Sequence, residues 1–231
     1  DYQTVNYKSA NRGAYEGYDL TFLTQVELSS TTRASATIGY AQGSVSATNT
    51  VSEGADVGTV IGTLELSAEL VKGCTLALAW LRAVRPSFQY GVDTVDSTRG
   101  TLGWTDGFSS AALSCELQSV AVAGPLGISY SGWQASLNLA HQFTEDAVLS
   151  FNSSYYTRRN GSAPSGMTVG LPAEFLNDYD TFVNRIQFGV KLSERVGSYV
   201  YAEYVDRTSS DLLLQYHRFN AGASMTYTYD F

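Results

Sequence analysis

FNAGASMTYTYDF, residues 219–231, is the stretch that decides the fold. Its odd positions are Phe219, Ala221, Ala223, Met225, Tyr227, Tyr229 and Phe231, and its even positions are Asn220, Gly222, Ser224, Thr226, Thr228 and Asp230. Successive side chains of a strand point to opposite faces, so this alternation makes one face apolar and the other polar. A common globular strand has roughly 5–6 residues, whereas a strand crossing a bilayer at a tilt of about 45° needs about 9–11. The run is long enough to cross.

The same beat continues upstream. Tyr18, Leu20, Phe22, Val26 and Leu28 share one face, opposite Asp19, Thr21, Gln25 and Glu27. Ala34, Ala36, Ile38 and Tyr40 alternate with Arg33, Ser35, Thr37 and Gly39, and Leu64, Leu66, Ala68 and Leu70 with Glu65, Ser67 and Glu69. Trp133, Leu137 and Leu139 and then Ala147, Leu149, Phe151 and Tyr155 form further apolar faces. Phe182, Ile186, Phe188, Val190 and Leu192 oppose Arg185, Gln187 and Lys191. The period predicts many long, amphipathic, antiparallel strands.

Composition narrows the class. The 231 residues carry 14 basic and 22 acidic side chains, a net charge of -8, which disfavours nucleic acid as partner. Charged residues are 16% and aromatics 13%, so enough apolar surface exists to exclude disorder. Two cysteines are too few for a disulfide scaffold or a structural zinc cluster, and a Cys74–Cys115 bridge stays open. No apolar run reaches the length of about 18 residues that a transmembrane helix needs. The opening DYQTVNYKSANRG has no basic or apolar signal region, so a signal peptide is expected to be already absent.

Strands are expected near residues 2–9, 17–29, 33–46, 58–70, 74–86, 127–143, 147–159, 181–192, 197–207 and 213–231. Tight turns after Leu28, Leu70, Phe143 and Leu192 alternate with longer loops near 47–58, 88–126 and 160–180. All four prolines fall at strand ends or in loops, where no ladder donor is lost. The expected fold is therefore all-β: a single antiparallel transmembrane β-barrel domain over 1–231, with about 10 strands (about 8–12 as the range), short periplasmic turns and long extracellular loops. Residues 109–122 read equally as a strand or a short helix. They are assigned to a long loop, 88–126, folding over or into the lumen.

The stretch SLNLAHQFTEDAVLSFNSSYYTRRN, residues 136–160, resembles hairpins of the type 2 β-barrel porin group of Gram-negative outer membranes. Its order is strand, acidic turn, strand, then a rim of tyrosines and arginines. The terminal MTYTYDF resembles the C-terminal signal read by the barrel assembly machinery, which would make Tyr229 and Phe231 the assembly signal. The resemblance implies an outer-membrane location with the C-terminus periplasmic, a porin-like role, and partners in outer-membrane lipid and, at the loops, a protein or polysaccharide. It carries over no catalytic residue, cofactor or metal.

In lipid the polar faces must turn inward, because a closed sheet is the only strand structure that pairs every backbone group. The lumen then receives Asp19, Glu27, Glu65 and Glu69 from the first half and Arg158, Arg185, Lys191, Arg207 and Arg218 from the second, with Glu203. This separation is either a transverse field across a pore or a self-neutralising filling of a narrow barrel. Tyr18, Tyr40, Trp133, Tyr155, Tyr204, Phe219, Tyr229 and Phe231 are expected at strand ends, as an aromatic girdle at the headgroups. Trp104, Tyr90 and Tyr179 are placed in loops. His217, with Asp211 and Ser209 or Ser210 near in sequence, is the one cluster a hydrolase could use; the reading is not an enzyme. Asp93 with Asp96, and Asp178 with Asp180, are read as solvated loop charge rather than calcium ligands. The function expected is passive diffusion or export of small polar solutes, the alternative a closed barrel acting through its loops.

Overall fold

The computed structural model describes residues 2–5, 15–45, 55–87, 91–123, 128–161 and 177–227. Within them the alternating segments form one antiparallel sheet: β1 (Tyr2–Val5), β2 (Tyr15–Ser29), β3 (Thr32–Val45), β4 (Ala55–Val71), β5 (Cys74–Ser87), β6 (Gly91–Thr105), β7 (Ser109–Ala123), β8 (Tyr130–Thr144), β9 (Ala147–Asn160), β10 (Tyr179–Lys191), β11 (Val196–Ser209) and β12 (Tyr216–Tyr227). Each strand pairs with its sequence neighbour, so the order runs from β1 to β12 without a crossover. The described ladder ends at β1 and β12. Strands β2 to β12 have 12 to 17 residues, enough to cross a bilayer at a tilt. No helix among the described residues is long and apolar enough to cross a membrane.

The expected loop 88–126 is overturned. It holds two strands, β6 and β7, paired in continuous register from Val92↔Ala123 to Thr105↔Ser110 and joined by a turn at 106–108. A single strand there would break the alternation of strand directions, whereas two keep it and bring the described count to twelve. The alternation of β6 is faint because Thr94, Asp96, Thr98 and Gly100 occupy positions that carry apolar side chains in other strands. Trp104 and Tyr179, placed in loops from the sequence, lie on β6 and β10, and Tyr90 lies outside the described residues.

The interior of this fold is turned outward. Phe22 is 67% exposed and Phe219 69%, with Leu20, Ile38, Leu64, Leu117 and Ile186 also exposed. A contiguous apolar surface of this kind is untenable in water and natural against lipid. The few fully buried side chains, Val92, Val120 and Ile128, lie toward the end that carries the longer connections. There the sheet curls enough for β3 to touch β5 and β6 as well as its ladder partners.

All five turns at the opposite end are short, at 30–31, 72–73, 106–108, 145–146 and 192–195. Three of the hairpins shift register beside the turn, at Glu27/Ser29, Glu69/Val71 and Gln142/Thr144, so the bulge and the turn act together. At 72–73 the shape requires glycine: Gly73 has φ +80°, and an added Cβ would lie 2.3 Å from the Thr105 carbonyl oxygen. That contact supports the neighbouring hairpin, since the Thr105 amide donates to the Gly73 carbonyl at 2.8 Å. Gly73→Val is expected to lower stability by about 1–3 kcal/mol, seen as a lower urea midpoint in micelles at unchanged slope.

Candidate functional site

The two faces of the sheet define the site. Pairing in register carries Asp19, Glu27, Glu65 and Glu69 onto one polar face across β2–β4. Arg158, Arg185, Lys191, Glu203, Arg207 and Arg218 take the same face across β9–β12. Tyr18, Tyr40, Trp133, Tyr155, Tyr204 and Phe219 take the other face. Tyr229 and Phe231 lie outside the described residues.

On β2–β7 the polar face also holds Arg33, Arg85, Asp93, Arg99 and Glu116. Each arginine there meets an acid on the next strand. Arg33 Nε lies 3.4 Å from Glu27, Arg85 Nε 3.6 Å from Asp93, and Arg99 Nε donates to Glu116 at 2.9 Å. Ser35 donates to Glu65 at 3.2 Å, and Glu69 accepts from the Gly73 amide at 3.1 Å. Arg99 and Glu116 were not recognised in the sequence as a pair, because their strands were read as loop. The signal was present, since Glu116 alternates with Leu113, Cys115 and Leu117.

The β8–β12 wall is built differently. Arg158 is buried, with its guanidinium 3.8 Å from the centroid of Tyr130 and its Nε donating to Asn160 at 2.8 Å. Arg185 donates to Gln187 at 3.0 Å and covers Tyr201 at 4.6 Å. Arg207 donates to Thr181 at 3.1 Å between Tyr179 and Tyr216, at 4.5 and 5.2 Å. Glu203 is taken by Arg218 at 3.5 Å and by Asn220 at 3.3 Å. A cavity of about 510 Å³ opens on this wall, lined by Ser110, Asn138, Asn152, Arg185, Gln187 and Glu203 among others.

On the apolar face these aromatic side chains have partners of their own. The Tyr18 hydroxyl donates to Gln42 at 2.5 Å, Tyr40 lies over Gly58, and Trp133 packs on Tyr155 at 5.1 Å. Beyond them, toward the longer connections, the same face becomes charged, with Arg82–Asp96 at 3.7 Å and Arg159–Asp180 at 2.7 Å. Asp93 and Asp96 thus serve different arginines on opposite faces of β6, and Asp178 accepts from the Asn160 amide at 2.7 Å. Among the described residues no group of three or more metal-ligating side chains occurs.

Cys74 faces Trp104 and Cys115 faces Gly100 from opposite sides of β6, so that strand separates them and both thiols are free. With the protein in vesicles, Cys115 is expected to react with a lipid-soluble maleimide and resist a charged one until the protein is unfolded. Ready labelling by the charged reagent in the folded state would turn this face away from lipid.

The histidines are not where the sequence put their partners. His217 Nδ1 lies 2.9 Å from Asp206, across the β11–β12 ladder. Asp211 instead accepts from the Leu213 amide at 2.9 Å, capping a one-turn 3-10 helix, and Ser209 donates to the Asp178 carbonyl at 2.6 Å. His141, at the other end, has Ser109 Oγ at 2.9 Å from Nδ1, a pair hidden in the sequence because Ser109 was assigned to a loop.

Asp106 organises the turn before Ser109. Its Oδ1 accepts from the Ser109 amide at 2.6 Å and from the Phe108 amide at 2.9 Å, while Gly107 takes φ +94°. These two amide bonds hold the Asp106 carboxyl below its ordinary value of 3.8. The cap therefore contributes fully above pH 3.8, and its contribution disappears as pH falls through the lower folded value. Asp106→Asn is expected to unfold at lower temperature at neutral pH, and its difference from the wild type should shrink on acidification. Heat-modifiable gel mobility across pH measures both.

No protein-family model matches the chain, and the search of curated proteins gave no match. Among solved structures it is similar to OmpT, in-vitro folded, an outer membrane protein of Vibrio cholerae, at 9% identity and a TM-score of 0.53, covering 94% of this chain and 90% of that one. The trimer form of the same protein matches at 9% identity and a TM-score of 0.53, covering 94% and 92%. A loop L8 deletion mutant of it matches at 10% identity and a TM-score of 0.52, covering 94% and 76%. At this identity the likeness establishes the fold: the chain has the architecture of an outer-membrane β-barrel.

Proposed function

We propose that this barrel is a passive channel for small polar solutes in the outer membrane of a Gram-negative bacterium. Its short turns and C-terminus face the periplasm, and its longer connections face outside. The observation that carries the reading is the cavity of about 510 Å³ on the polar face, lined by Asn138, Asn152, Arg185, Gln187 and Glu203. Barrel diameter grows with strand number, and eight strands give an interior that side chains just fill. Twelve leave more cross-section than the ten expected from the sequence, and the Glu27 and Arg33 side chains remain 71% and 67% exposed.

A second reading, a closed barrel acting through its loops, is favoured by the ion pairs of the β2–β7 wall and by Val45 packed on Val92. A catalytic role is not proposed. A hydrolase holds nucleophile, base and orienting acid in one chain of hydrogen bonds. Among the described residues Ser109 Oγ bonds His141, but the nearby Asp106 carboxylate bonds the Ser109 amide, and His217 pairs with Asp206 at the opposite end of the strands.

The test is single-channel recording of the folded protein in a planar bilayer. Stable open steps are expected, and reversal of one wall charge, Arg185→Glu, should shift ion selectivity toward cations. A correctly inserted but silent barrel would overturn the channel and favour the closed form.

A further inference from the structure

Apart from the buried Arg158, held by Tyr130 and Asn160, the arginines on the polar face of the described sheet fall into two groups. Arg33, Arg85, Arg99 and Arg218 on the polar face each have a carboxylate partner. Arg185 and Arg207 do not: among the described residues their partners are Gln187 and Thr181 oxygens and the rings of Tyr201, Tyr179 and Tyr216. Two positive charges thus stand on the polar wall without an ion pair of their own, Arg207 among neutral groups and Arg185 directly across from Glu203, whose carboxylate is held by Arg218 and Asn220.

The way they are held matters chemically. A tyrosine ring over a guanidinium takes its face and fixes its plane. The in-plane fork of N–H donors is then left for an acceptor, and that fork fits a carboxylate through two parallel bonds. Thr181 uses only the Nε edge of Arg207, and Gln187 a single Nη of Arg185. Both groups are therefore oriented before any anion arrives, which reduces the ordering cost of binding.

Their surroundings specify more. Arg207 faces Thr181 in register, and Arg185 lies four residues further along β10, so the two charges are separated by about 13 Å along the strand. Level with Arg185 and on its side away from Arg207, the cavity offers Ser110, Ser150, Asn138, Asn152 and Gln187, groups that bond hydroxyls, while Ser154 lies between the two charges opposite Val183. Asn138 and Asn152 already bond each other across β8 and β9. The nearest acid on this wall, Glu203, is engaged by Arg218 and Asn220.

We propose that Arg185 and Arg207 form a two-step site for polyhydroxylated carboxylates, of the sugar-acid class, on the inner wall of β10–β12. The guanidinium forks take the carboxylate, and the amide and hydroxyl groups of the cavity take the hydroxyls. The inference deepens the channel reading and rests on it, since the site is reached through the lumen.

Two measurements separate the two claims. In micelles, titration calorimetry with glucuronate should show binding that glucose does not reproduce. Arg185→Gln and Arg207→Gln should each weaken it by about tenfold, the loss expected for one charged hydrogen-bonding partner. Arg99→Gln, whose partner is Glu116, should leave it unchanged, and Arg185→Lys should restore it in part. Heat-modifiable mobility certifies that each variant is folded. In bilayers, glucuronate should interrupt the current of the wild type and not that of the double Gln variant.

Absent glucuronate binding, or binding that survives in the folded double variant, overturns the site even if the channel conducts. Binding to a silent barrel upholds the site and overturns the channel.

Discussion

A peptide group in hydrocarbon has no water to bond, so each N–H and C=O must find its partner within the protein. A strand can do this only sideways. That requirement explains why this chain is a continuous run of ladders, with each of β2–β11 paired on both sides to its sequence neighbours. It also explains why the hydrophobic side chains are not collected into a core. Once the backbone is satisfied by the sheet, Phe22, Ile38, Leu64 and Phe219 are stable facing lipid, and the polar side chains take the interior.

The polar interior follows its own logic. On β2–β7, each arginine of the polar face is locked to an acid on the next strand, and Glu65 and Glu69 are held by a serine and a backbone amide instead. On β8–β12, Arg218 keeps an acid in Glu203, while tyrosine rings orient Arg185 and Arg207 without neutralising them. One sheet therefore carries a mechanical half and a chemically receptive half. The difference is invisible in the net charge of -8, which averages over both and over the loops.

Much of this was legible in the sequence where a strand has lipid on one side and water on the other. β12 announces itself because every second residue from Phe219 to Tyr227 is apolar or small. β6 was unreadable because Thr94, Asp96, Thr98 and Gly100 hold its apolar-face positions and only Leu102 and Trp104 mark the lipid side. The faces of Asp19, Glu65, Arg185 and Arg218 followed from parity alone. Their partners did not, because a hydrogen bond such as Ser109 to His141 depends on the register between strands 32 residues apart. Tyr201 under Arg185 is of the same kind: period two places both inside, and the pairing of β10 with β11 brings them together.

The strictly sequential strand order has a consequence for how such a wall can change over evolutionary time. Because each described strand pairs only with its sequence neighbours, a whole hairpin can be gained or lost without re-pairing the rest, and each such event alters the circumference by two strands. The β6–β7 pair, with the least greasy outer surface at its β6 edge, has the look of such a module. Its turn is fastened by its own carboxylate at Asp106, and its contact with the preceding hairpin at that end is made by the Thr105 amide and the Gly73 carbonyl. Bore width in this architecture is thus a quantity set in discrete hairpin units, separable from the chemistry written on the wall of β10–β12.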